Sequence, residues 1–126
     1  MNVYERFLRE LFGGERTIRD ADFCGRFLIG KIDDQIIVKI VLVSTERSQK
    51  IDAILCTILN RYGVIDKQMI LFSELIPSAP KLLETDDDES VERKFGDFNM
   101  ERLRETVLGY IRVFYDKSHD RGEAWA

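Results

Sequence analysis

Four apolar runs between Phe23 and Phe72 are separated by very short breaks. The runs are FCGRFLIGKI, QIIVKIVLVST, KIDAILCTILN and VIDKQMILF, and the breaks are Asp33-Asp34, ERSQ and RYG. Runs this rich in Ile, Val, Leu and Phe read as strands. A parallel crossover needs about a dozen residues, so breaks of this length leave only hairpins. The expected centre of the fold is a four-stranded antiparallel meander.

A meander with one wet face alternates apolar and polar residues. These strands do not. In the second, Ile36, Val38, Ile40 and Leu42 point one way, while Ile37, Val41 and Val43 point the other with Lys39 among them. In the third, Ile51, Ala53, Leu55 and Leu59 alternate with Ile54, Cys56 and Ile58. Both faces are apolar, and helices can cover only one. The other needs the 73–98 segment folded back, a second copy of the chain, or a different protein. At about 25 cal/mol per Å², an open patch of a few hundred Å² is a several-kcal/mol incentive to associate, before association costs. Monomers rarely leave such patches open. The residues expected on the less covered face are Ile37, Val41, Ile54 and Ile58.

Helical spacing flanks the meander. Val3, Tyr4, Phe7, Leu8, Leu11 and Phe12 recur at three- and four-residue steps, with Asn2 as an N-cap and Gly13-Gly14 as the stop. Met100, Leu103, Val107, Tyr110, Ile111 and Phe114 form a second apolar stripe, with Asn99 as its cap. Residues 15–22 carry no period and read as a connection. Pro77 and Pro80 exclude a continuing central strand or helix. The fold class is α+β: an N-terminal helix, the meander, and a C-terminal helix packed on the sheet. The chain of 126 residues fits one domain. It is expected to span 1–117, with an acidic loop at about 78–98 and a flexible tail at 118–126.

Charge narrows the partners. The net charge is −4, and residues 84–92 (ETDDDESVE) hold six acids, so the remainder is near +2. This gives no basic footprint for nucleic acid. Within the acidic run, Asp86, Asp87, Asp88 and Glu89 are the candidate contacts for a basic partner. A calcium loop beginning at Asp86 fails, because Val91 stands where glycine must turn and Asp97 where a bidentate Glu belongs. Cys24 and Cys56 form no C-x-x-C pair and read as buried reduced thiols. No signal peptide opens the chain and no run approaches a membrane span, so the expected location is cytoplasmic.

GRFLIGKI, Gly25 to Ile32, has the spacing of a phosphate-binding loop. Ile32 replaces the magnesium-binding Ser or Thr, bulky residues fill the loop, and Asp33-Asp34 follows where a helix should open. Nucleotide binding is not expected, and the glycines read as a bulge or a close approach. His119, the only histidine, sits in the polar tail, where a general base lacks a fixed geometry. Asp33, Asp34, Asp52 and Asp66 read as turn residues, as do Ser44, Thr45 and Ser48. Two distant cysteines and one histidine cannot build a zinc site. No cofactor is implied. The strand aromatics Phe23, Phe27 and Phe72, with scattered Arg26, Lys39, Arg61 and Lys67, do not form an RNA-binding signature.

The stretches MNVYERFLRELF, VKIVLVSTERSQKIDAI and TILNRYGVIDKQ resemble small uncharacterised proteins carried on integrative and conjugative elements of gut Firmicutes. The resemblance covers roughly residues 1–76 and not 78–99. It implies a cytoplasmic accessory protein of a mobile element and brings no activity or site residue. The functional expectation is a non-enzymatic protein-interaction module, with homodimerisation its simplest form. The alternatives are a nucleic-acid-associated regulator or anti-restriction-type factor, and a small carboxylate-dependent hydrolase or transferase.

Overall fold

The computed structural model describes residues 2–125, with side-chain surroundings through Tyr115. Helix α1 (Val3–Phe12) begins where the Asn2 side chain accepts the Glu5 N–H at 2.8 Å. Its six apolar residues are all buried. It stops where the Gly13 N–H reaches the Arg9 carbonyl and Gly14 takes a φ of +82°, a left-handed conformation that glycine adopts without strain.

The sheet has five antiparallel strands, one more than expected, in the order β1–β2–β3–β4–β5. They are β1 (Arg19–Cys24), β2 (Phe27–Lys31), β3 (Ile37–Val43), β4 (Ala53–Asn60) and β5 (Gly63–Leu71). The extra strand arises because FCGRFLIGKI is a hairpin rather than one strand. Gly25 has a φ of +58° and Cys24 pairs with Phe27, so Gly25-Arg26 is a two-residue turn. A positive φ at the first turn residue alone matches a type II′ hairpin. The connection expected at 15–22 therefore contains the start of an edge strand. That strand is polar and exposed, with a register shift between Arg19 and Asp22 and a φ of +54° at Asp20. Gly30 is a close approach, as expected: a side chain there would collide with Ile18.

Short polar contacts fix the remaining turns. The Asp33 side chain accepts the Gln35 and Ile36 N–H groups at 2.7 and 3.0 Å. The Asp52 carboxylate accepts the Thr45 N–H and hydroxyl at 2.8 and 2.6 Å. Asn60 accepts the Tyr62 N–H at 2.8 Å ahead of Gly63.

Beyond β5 the chain forms α2 (Phe72–Leu75), α3 (Asp88–Asp97) and α4 (Met100–Trp125). The acidic segment was expected as a loop, yet its second half, from Asp88, is helix. Asp87 is the N-cap, accepting the Ser90 N–H at 2.8 Å, and Asp88 and Glu89 lie in the first turn. Carboxylates are stabilising there, beside the positive end of the helix dipole. The Ser90 hydrogen bond holds the Asp87 carboxyl below its usual value. Asn99 caps α4, accepting the Arg102 N–H at 3.0 Å. The backbone of α4 runs to Trp125. The side chains expected in the tail, His119 among them, lie outside the described residues.

Helices α1, α2 and α4 pack on one face of the sheet, and α3 packs against α1 on the same side. Phe7 of α1 touches Phe72, Phe95 and Phe98, with ring centroids 5.1–5.7 Å apart. Leu28, Val38, Ile40, Leu42, Ile54, Cys56, Ile58 and Ile70 supply the sheet side of this core. Leu103, Val107, Leu108 and Ile111 of α4 complete it.

Candidate interaction surface

Residues directly opposite in an antiparallel pair share a face, so the register assigns every strand residue to one side. Leu42 stands opposite Ile54, Ile40 opposite Cys56, and Val38 opposite Ile58. All six belong to the helix-covered inner face. Ile37 stands opposite Leu59 and Val41 opposite Leu55, and these belong to the outer face. The expected set Ile37, Val41, Ile54 and Ile58 is therefore split. Ile37 and Val41 lie outside, whereas Ile54 and Ile58 are fully buried core. The error is a one-residue slip in pairing β3 with β4. Leu55 and Leu59 are the outer residues that the slip displaced.

The pairings run on across the whole outer face as rows perpendicular to the strands. One row is Cys24, Phe27, Val41, Leu55 and Met69. The next is Asp22, Ile29, Lys39, Thr57 and Lys67. The third is Arg19, Lys31, Ile37, Leu59 and Val64. Ile29 and Ile37 are each 39% exposed, Met69 41% and Val64 53%. The 73–98 segment, one expected cover for this face, packs on the inner side through Phe95 and Phe98.

The two cysteines divide between the faces. Cys56 is buried on the inner face, and burial pushes its thiol up to about 12. Cys24 was expected to be buried too, yet it is exposed, at the hairpin end of an outer row.

The acidic candidates also divide. Asp86 turns inward, where the Lys94 ammonium lies 2.8 Å from its carboxylate and the Leu83 N–H donates to it at 2.9 Å. It joins the segment before α3 to the helix itself. Asp87 serves as the cap, and Asp88 pairs with Arg6 at 3.3 Å. Asp87, Asp88 and Glu89 are all exposed, and only Asp86 of the four is drawn in.

The remaining polar groups show structural work. Asp66 accepts the Tyr110 hydroxyl at 2.6 Å, tying β5 to α4. Burial and that carboxylate together raise the Tyr110 phenol. An open groove of about 670 Å³ is lined by Arg16, Arg19, Asp33, Asp34, Arg112 and Tyr115. Its charges are mixed, with Arg19 paired to Asp34 at 3.5 Å and Arg112 to Glu105 at 3.4 Å. Among the described residues, no group of three His, Cys, Asp or Glu is arranged to hold a metal ion. Among them, no helix is long and apolar enough to cross a membrane. Comparison with known proteins finds no match to a protein-family model, to a curated protein or to a solved structure.

Proposed function

We propose that the chain is a non-enzymatic protein-interaction module that docks a partner on the outer face of its sheet. One observation carries the reading. Ile29, Ile37, Val64 and Met69 are each more than a third exposed on a continuous sheet face, with half-buried Val41, Leu55 and Leu59 between them. A sheet face in water normally carries polar residues. Contiguous apolar surface of this kind marks an interaction site. The same proposal makes it a cytoplasmic accessory protein of a mobile element.

The test is site-specific photo-crosslinking in the native host. A benzophenone side chain at Ile37 samples the outer face, and one at exposed Glu101 samples the helical side. The reading expects a defined adduct from Ile37 and none from Glu101. No adduct at Ile37, or equal adducts at both positions, contradicts it.

A further inference from the structure

Resting on that reading, we infer the chemistry of the partner: a protein surface that places carboxylates between two apolar strips. The argument lies in the middle row, Asp22, Ile29, Lys39, Thr57 and Lys67. It runs between the row of Phe27, Val41, Leu55 and Met69 and the row of Ile37, Leu59 and Val64. Rows two residues apart along a strand are separated by about 7 Å. A partner that covers both apolar rows must therefore also cover the row between them. Lys67 lies on the edge strand, so its ammonium can extend to water. Lys39 lies on the middle strand, with apolar rows on either side. Its ammonium sits over the Phe27 ring, 5.4 Å from the centroid. Among the described residues, Lys31, Lys39 and Lys67 make no ion pair. A covered ammonium without a carboxylate is strongly destabilising, so a fitting partner supplies one.

Charge separates this partner from the other occupants. Apart from Arg19, which pairs with Asp34, the three rows hold Lys31, Lys39 and Lys67 against Asp22 alone. Two copies stacked through this face would bring three lysines for every acid. The chain as a whole is at −4, so the face is basic on an acidic body and steers acidic surfaces toward itself. Nucleic acid fits less well. Single-stranded bases stack on aromatic platforms, whereas Phe27 is the one aromatic in these rows and Lys39 already lies over it. Stacked sheets keep their strands within about 30° of each other. The complementary partner strand therefore alternates as apolar, outward, acidic, outward, apolar.

The experiment places the benzophenone at Ile29, in the lysine row, and at Met69, in the neighbouring row. Adducts are collected from native cells with and without nuclease, and the crosslinked peptides are sequenced. The same is done in a Lys39→Glu/Lys67→Glu chain and in a Lys39→Gln/Lys67→Gln chain. The inference expects a nuclease-resistant adduct whose crosslinked peptide carries Asp or Glu between apolar residues. It expects charge reversal to lower the yield about tenfold or more, and the Gln pair to lower it less. An adduct with a second copy of the chain, a nuclease-sensitive adduct, or a yield unmoved by charge reversal overturns the inference while leaving the interaction surface in place. No adduct from Ile29, Met69 or Ile37 overturns both.

Discussion

On the inner face of β3 and β4, Val38, Ile40, Leu42, Ile54, Cys56 and Ile58 are at most 1% exposed. On the outer face of the same two strands, Ile37 is 39% exposed, and Val41, Leu55 and Leu59 are half-buried. Side-chain type does not distinguish these sets, since both are apolar. What differs is where the connections deliver the helices. The chain leaving α1 crosses the inner face at Gly30, whose missing side chain makes room for Ile18. Beyond β5, Phe72 turns to the same side and joins Phe7 and Phe98. Each connection adds to the layer already there. The opposite apolar face carries no helix among the described residues.

The largest effect expected from this comparison comes from one substitution made on neighbouring residues. Ile54→Lys places an ammonium in the core and is expected to destabilise the chain by about 4 kcal/mol or more, or to unfold it. Leu55→Lys points outward and is expected to change stability by less than about 1 kcal/mol. Denaturant titration of the pair checks this, and similar losses would erase the distinction between the faces.

Asp86→Asn comes next. The Asp86 and Lys94 side chains are only 6% and 16% exposed, so removing one charge strands the other. The expected loss is about 2–3 kcal/mol. Hydrogen exchange should then rise in α3 and not in β3. A change confined to β3 would mean that the segment does not hold the inner layer.

Gly30→Ala tests the crossing point on the inner face. Its methyl group meets Ile18, with the Arg19 carbonyl 3.2 Å away. A loss of about 1–3 kcal/mol is expected, and relief by a second change of Ile18→Ala. A neutral Gly30→Ala would mean that the connection does not press on this face.

The two faces were unequally legible in the sequence. Helices α1 and α4 were plain, because their apolar spacing is long and Asn2 and Asn99 cap them. The alternation within β3 and β4 was plain too. Their mutual register was not, because both parities are apolar and a slip by one residue leaves the pattern looking sound. Such a slip sends Ile54 and Ile58 outward. Strand β1 was hidden because an exposed edge strand needs no apolar alternation, and Phe23 alone turns to the core from it. Helix α3 was hidden by its acids. Val91, Phe95 and Phe98 have helical spacing behind the Asp87 cap, a signal outweighed by the charge run. The lysine row could not be read at all, since it exists only once the strand pairings align Lys39 with Lys67.

The smallest expected effect is a pH response at the acid end of the inner layer. The Asp87 carboxyl is lowered in the folded chain by its bond to the Ser90 N–H. Its contribution is therefore present above the usual value of 3.8 and is lost as pH falls through the lowered value. Asp87→Ala should remove that part of the acid response, seen as a pH-independent rate of exchange at the Ser90 amide relative to its neighbours. An unchanged acid response would place the cap elsewhere.

The central claim is that the outer face is open in the free chain and occupied in its native setting. Cysteine labelling at Ile37 measures this directly. In a Cys24→Ser background, Ile37→Cys should react with a maleimide in the purified chain within about tenfold of an unstructured peptide, while buried Cys56 stays protected. In native cells the same position should be strongly protected, and Lys39→Glu/Lys67→Glu should restore its reactivity. Slow labelling in the purified chain would mean that the chain covers its own outer face. Equal, fast labelling in both settings would mean that nothing docks there.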